Sequence, residues 1–189
     1  MEKDPLYPTL AEKQTNRTEI YDGHILHVVC DDIELPNGAP AKREVVLHNG
    51  AVCIVPLTEN NEIIMEKQYR YPFDQVIWEI PAGKIDKGET DPVAAAKREL
   101  LEETGYIASE LKFIGMYYPS PAILSEKIYM YVAKDLKKGE QDLDEDEFLF
   151  VTPVPFDNVV DMIVNNEIPD GKTQAAVLKV KALIDKGLI

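Results

Sequence analysis

Three glutamates, Glu99, Glu102 and Glu103, fall inside "KRELLEETGY", residues 97–106. At about 100° per residue on a helix they share one face, with Glu99 and Glu103 nearly above one another. Like charges at that spacing repel, and their place near the helix end adds the negative pole of the helix dipole. Such crowding costs little in water and much where water is partly excluded, unless a cation is bound. Hard divalent ions such as Mg²⁺ suit the site, because they prefer carboxylate oxygen and keep several waters. A solvated acidic face is the plain alternative, and the three residues alone leave both readings open.

The helix that carries them is well marked. Asp91 can cap its start, Pro92 suits the first helical position, and Gly105 sits just past the expected end. Val93, Ala96, Leu100 and Thr104 line the side opposite the glutamates and are expected to be buried there.

Upstream, residues 1–15 read as an irregular arm with two prolines. Residues 16–48 then alternate around the Asp22-Gly23 turn signal and the turn "LPNGAP", which predicts a small antiparallel sheet. "GAVCIVPL" reads as a strand buried on both faces. "NEIIMEKQYR" and "VIWEIPAG" read as strands joined near Pro72. After the helix come strands "ELKFIGMYY", "KIYMYVAKDL" and "FLFVTPV", the loop "PSPAILSE", the acidic segment "KKGEQDLDEDE" and two closing helices. Strands and helices mix without strict alternation, which predicts an α/β sandwich with a mixed sheet.

The 189 residues allow one domain, or one domain with a small extension. A net charge of −14 argues against nucleic acid as partner, since phosphate backbones need clustered cations. No apolar run approaches the length of a membrane span. The start "MEKDPLYPTL" lacks a basic and then apolar leader, so a cytoplasmic protein is expected. Cys30 and Cys53 lie in apolar runs and read as buried small hydrophobes. The three histidines share no ligand spacing.

The stretch "GKIDKGETDPVAAAKRELLEETGY", residues 83–106, closely resembles the signature of the Nudix hydrolases. Gly83, Glu89, Arg98, Glu99, Leu100, Glu102, Glu103, Gly105 and Tyr106 match its pattern. Eight residues rather than seven separate Glu89 from Arg98. The extra one falls near Thr90-Asp91, ahead of the helix, so the helical spacing is intact. The resemblance implies hydrolysis of a nucleoside diphosphate linked to another group, with Mg²⁺ or Mn²⁺. It implies Glu99, Glu103, Glu102 and the carbonyl of Ala82 as metal ligands, with Glu102 also assisting the water. Arg98 would orient the loop carboxylate Glu89.

Outside the signature, the chain resembles the ADP-ribose pyrophosphatase branch along nearly its whole length. "KREVVLHNGAVCIVPL", "EKQYRYP" and "WEIPAGKID" match that branch's strands. They imply Arg43 and Arg70 as substrate contacts, with Glu79 facing the nucleotide. Arginine suits phosphate because its fork meets two oxygens at once. Pro121 stands sixteen residues past Gly105. Ser120, Pro121 and Glu126 match a substrate loop in which Ala122 replaces a glycine. The branch's general base lies on an acidic loop matched by "LDEDEFLFV", which makes Glu147 the first candidate and Glu145 the second. A solvated charge run is the alternative there. In "IPDGKTQAA", Lys172 either reaches the substrate or is a solvated lysine beside a capping Asp170.

The resemblance therefore implies a Nudix α/β/α sandwich over residues 49–189. An N-terminal antiparallel β extension over residues 1–48 would serve dimerisation and the substrate pocket. The implied activity is metal-dependent cleavage of ADP-ribose to AMP and ribose 5-phosphate by a homodimer. A broader hydrolase of ADP-glucose or GDP-mannose is the nearest alternative, and a non-cleaving ADP-ribose-binding module a more distant one.

Overall fold

The computed structural model describes residues 4–143 and 147–189, which group into two units. Residues up to His48 form one together with Ser120–Glu126, and the remainder forms the other. Among the described residues no helix is long and apolar enough to cross a membrane.

The first unit holds a short helix α1 (Tyr7–Leu10) and strands β1 (Lys13–Asp22), β2 (His27–Glu34) and β3 (Pro40–Leu47). They form an antiparallel sheet in the order β1-β2-β3. Within the arm expected over residues 1–15, the described part is more ordered than its prolines suggest. Its ladder starts at Lys13, paired with Glu34, because backbone pairing with β2 outweighs weak local propensity. Arg17 grips the buried Asp31 across the sheet with two bonds of 2.7 Å. Ser120–Glu126 returns to β3. Val46 N–H donates to the Ile123 carbonyl at 2.8 Å, and Ser125 N–H to the Val46 carbonyl at 3.0 Å. A boundary drawn at residue 48 misses this return, since sequence proximity carries no sign of it.

The second unit runs β4 (Ala51–Pro56), β5 (Glu62–Arg70), β6 (Gln75–Glu79), β7 (Ala82–Lys84), α2 (Pro92–Thr104), β8 (Tyr106–Tyr117), β9 (Ile128–Lys138), β10 (Leu149–Pro155), α3 (Phe156–Val164) and α4 (Gly171–Asp185). One sheet has the order β7-β4-β9-β8, the other β10-β5-β6. β4 and β9 are parallel and the remaining pairs antiparallel, so the larger sheet is mixed.

β4 is buried at every position, as its unbroken apolar pattern predicts. Ala51, Cys53 and Val55 pack with Phe156, Val159, Ala176 and Val177 of α3 and α4. Val52 and Ile54 pack with Ala95, Ala96 and Leu100 of α2. Because successive side chains point to opposite faces, this alternation places α2 on one side of the sheet and α3 and α4 on the other. The result is the expected α/β/α sandwich.

Two local expectations change. "VIWEIPAG" is not one strand. Its first part pairs with β5 and its last with β4, and the break falls at Ile80-Pro81. Pro81 has no N–H to continue a ladder, while its carbonyl accepts from Ile54 N–H at 2.9 Å. The faces of α2 also differ from expectation. Val93 is exposed, whereas Glu99 and Glu103 are buried at 8% and 4% exposure beside Ala95, Ala96, Leu100 and Thr104. Only Glu102 stays half-exposed. The buried arc is wider than the apolar residues mark, because α2 lies over β7 as well as β4 and β8.

Candidate active site

β7 explains how two glutamates enter the interior. A Cβ at Gly83 would stand 2.0 Å from Glu99 Cδ and within 2.2 Å of both carboxylate oxygens. Only glycine leaves that space, so Glu99 lies directly against the strand backbone. One residue earlier, Ala82 N–H donates to Glu103 Oε2 at 2.8 Å. Adjacent residues of β7 thus receive successive rungs of α2, whose cap geometry matches the sequence reading. Asp91 accepts from Val93 N–H at 2.9 Å, and Gly105 ends the helix at φ +70°.

Arg98 holds the outer side. Its Nη1 donates to Glu99 Oε1 at 2.8 Å and Glu102 Oε2 at 2.9 Å. Its Nη2 reaches the Lys84 carbonyl at 3.2 Å and Glu89 Oε2 at 3.4 Å. Glu89 therefore meets Arg98 despite the extra residue between them. Burial works against the Arg98 charge, but Glu99 and Glu102 outweigh it and hold the guanidinium firmly protonated.

A second cluster centres on Glu79. Arg70 pairs with it through Nε at 2.5 Å and Nη2 at 2.7 Å. Lys172 Nζ also bonds Glu79, and reaches Asp170 Oδ2 at 3.1 Å. Asp170 caps α4, accepting from Thr173 N–H at 3.0 Å and from its hydroxyl at 2.6 Å. Thr173 Oγ1 in turn accepts from Ile80 N–H at 3.0 Å, which ties the start of α4 to the residue after Glu79. Asp170 thus caps as one reading had it, but Lys172 is largely sheltered, with its side chain 13% exposed, rather than solvated. Burial pushes the Glu79 carboxyl up, and Arg70 with Lys172 reverses that, leaving it below the ordinary value.

Directly across the ladder from Glu79 stands Glu66, on β5. It is 1% exposed, and neither carboxylate oxygen has a hydrogen-bond partner among the described residues. The sequence reading overlooks it. Its signal is a carboxylate continuing the apolar run Ile63-Ile64-Met65.

Burial raises the pKa of Glu66, Glu99 and Glu103 alike. Glu99 is pushed up to about 7 against the pull of Arg98. On Glu103, Glu66 and Glu99 add their repulsion. Among the described residues no three metal-ligating side chains already stand together as a finished site. The donors nevertheless fit a hard divalent cation. They are all carboxylate oxygens, they repel one another, they are sheltered from water, and Glu66 has two oxygens to spare.

Glu147 borders an open depression of about 430 Å³ with Lys67, Tyr69, Val76, Phe148 and Phe150. Its charge raises the pKa of Glu66, Glu99 and Glu103, so it stands near them. Glu145 lies outside the described residues. Arg43, Ser120, Pro121 and Glu126 belong to the first unit. There Arg43 pairs with Glu12 through Nε at 3.0 Å, and Glu126 Oε1 lies 3.6 Å from His48 Nδ1. Among the expected site residues the second unit thus carries Ala82, Glu99, Glu102, Glu103, Arg70, Glu79, Lys172 and Glu147.

The sequence and the fold resemble those of known proteins. Residues 47–175 match the NUDIX domain family, and residues 12–46 a nucleoside diphosphate sugar hydrolase N-terminal domain. The chain is 44% identical over 171 residues to a methanol dehydrogenase activator of Bacillus methanolicus, covering 89% of this chain and 92% of that one. It is 41% identical over the same length and shares to the ADP-ribose pyrophosphatase of Bacillus subtilis (strain 168). A crystal structure of an ADP compounds hydrolase superposes with a TM-score of 0.82 at 27% identity, covering 94% of this chain and 97% of the other. With its signature helix docked on β7 and a family match over most of its length, the chain belongs to the Nudix hydrolases.

Proposed function

We propose that this hydrolase cleaves the diphosphate bond of ADP-ribose, with Mg²⁺ or Mn²⁺, to give AMP and ribose 5-phosphate. The observation that carries the reading is the pair Glu99 and Glu103, buried against Gly83 and Ala82 without enough positive charge to balance them. The similarity to an ADP-ribose pyrophosphatase over 89% of the chain supports the substrate.

Glu99, Glu103, Glu102 and the Ala82 carbonyl would hold the cation. When bound, it neutralises diphosphate charge and acidifies a water. Glu147, or Glu145 in its place, takes a proton from the attacking water. That water's oxygen bonds phosphorus as the bond to the bridging oxygen breaks. Arg70 binds a phosphate oxygen, and Glu79 fixes the guanidinium plane for it. Lys172 joins on the substrate side. Arg43, Ser120, Pro121 and Glu126 are assigned to substrate binding on the resemblance alone.

Residues 1–48 serve dimerisation and the pocket, and residues 49–189 catalysis. A homodimer is supported by β1, an edge strand exposed at all ten positions and carrying the exposed Ile20 and Tyr21. Cys30 and Cys53 are free thiols, which suits the reducing cytoplasm. Cys53 is buried as expected, while Cys30 is half-buried.

The test is release of AMP or GMP from ADP-ribose, ADP-glucose and GDP-mannose, with Mg²⁺ and with EDTA. Wild type should favour ADP-ribose and lose activity in EDTA. Glu103→Gln should lower kcat/KM on the order of 10³-fold, the size of several kcal/mol of lost charge stabilisation. Preference for a sugar nucleotide would overturn the substrate. Unchanged activity in EDTA would overturn the metal.

A further inference from the structure

Glu66 has no role in the reaction as described above, yet it is among the most costly side chains in the second unit. It stands on β5, with Met65 before it fully buried and Glu79 opposite. A carboxylate that loses its hydration and gains no partner is destabilising by several kcal/mol. A cationic side chain could compensate, but the two closest to it electrostatically are committed elsewhere. Arg70 spends Nε and Nη2 on Glu79, and Lys172 divides itself between Glu79 and Asp170. The other charges acting on it, Glu79 and Glu147, are carboxylates, and Glu66 itself acts strongly on Glu103. Both oxygens are therefore left without a hydrogen-bond partner among the described residues, with carboxylates near by.

We propose that Glu66 is a further protein ligand of the divalent cation, joining Glu103 from the β5 side. This rests on the reading that the α2 cluster binds metal. From β5, an element other than α2 and β7, Glu66 offers two unpartnered hard oxygen donors suited to Mg²⁺ or Mn²⁺. It also explains why a carboxylate occupies a position where an apolar side chain of similar volume would give the more stable metal-free fold.

Binding of Mn²⁺ alone, without substrate, tests this. Free Mn²⁺ is followed by electron paramagnetic resonance for wild type, Glu66→Gln, Glu66→Asp and Glu103→Gln. Glu66→Gln should weaken Mn²⁺ binding at least about tenfold, or remove one bound ion, and shrink the rise in Tm on adding Mg²⁺. Its metal-free Tm should equal or exceed that of wild type, which separates a lost ligand from a failed fold. Glu66→Asp, which withdraws the charge by one methylene, should weaken binding too. Wild-type Mn²⁺ affinity and stoichiometry in both variants would overturn the proposal and leave Glu66 a buried neutral acid. Wild type that binds Mn²⁺ and cleaves ADP-ribose would keep the main reading even then. Wild type that does neither would remove both.

Discussion

Glu79 and Glu66 face each other across one rung of the β5–β6 ladder, and both are 1% exposed. Their surroundings differ completely. Glu79 receives Arg70 and Lys172, and its carboxyl is held below the ordinary value. Glu66, with Glu99 and Glu103 beyond it, is raised by burial and by neighbouring carboxylates. The first cluster is balanced by the protein itself. The second is balanced only when something else arrives. A buried ion pair contributes little net stability when complete, but losing one member leaves a charge without water. A buried acidic cluster with one guanidinium on its outer side is close to that condition, and holds its shape through β7 and Arg98.

That contrast is most directly broken on the balanced side. Lys172→Met leaves Glu79 with Arg70 alone and Asp170 without its lysine. It should destabilise the metal-free protein by about 3 kcal/mol, the low end for breaking a buried pair, since Arg70 remains. Urea unfolding in EDTA measures it. Glu103→Gln should show no such loss under the same conditions, because a neutral amide of the same shape replaces a carboxyl that burial and its neighbours keep protonated. Equal destabilisation by the two substitutions would mean that the clusters do not differ in the way described.

A smaller effect sharpens the unbalanced side. Gly83→Ala sets a methyl group 2.0 Å from Glu99 Cδ, so the glutamate must leave β7. Overpacking of this kind costs about 1–3 kcal/mol. Metal affinity should fall as well, and Mn²⁺ titration beside urea unfolding reads both. Full metal affinity in Gly83→Ala would show that Glu99 need not touch the strand.

How much of this is legible in the sequence depends on whether the cause is local. α2 is legible end to end, because Asp91, Pro92 and Gly105 act within a turn of themselves. β4 is legible because an unbroken apolar run has few other homes. The signature singles out Glu99 and Glu103 as candidate metal ligands, but gives no sign that they are buried. Helical periodicity counts glutamate as polar and puts it outside, whereas the space left by Gly83, sixteen residues before Glu99 in sequence, lets it in. Glu66 stays hidden because the carboxylates around it come from β6 and α2, and strand register alone brings Glu79 opposite it. The pairing of Lys172 with Glu79 spans 93 residues and leaves no periodic trace.

The smallest effect separates the clusters by pH. Glu66, Glu99 and Glu103 keep protons in the folded chain that the unfolded chain has released above the ordinary value of 4.5. Their stabilisation is complete below that value and is lost as pH rises through about 7, where Glu99 titrates, and beyond. Glu79 has the opposite sign. Its pairing stabilises the fold above 4.5 and is lost only as pH falls below it, so it shapes the acid limb alone. In EDTA the Tm should therefore decline from about pH 5 to about pH 8, by at least the 2–4 °C that about 1 kcal/mol produces in a chain of this size. Mg²⁺ binds the ionised carboxylates, so the Tm rise it causes should grow over the same interval. Glu103→Gln should flatten the decline in EDTA and lessen the rise with Mg²⁺. A decline that persists unchanged in that variant would move its origin away from the cluster, to charges that α2 and β7 do not hold.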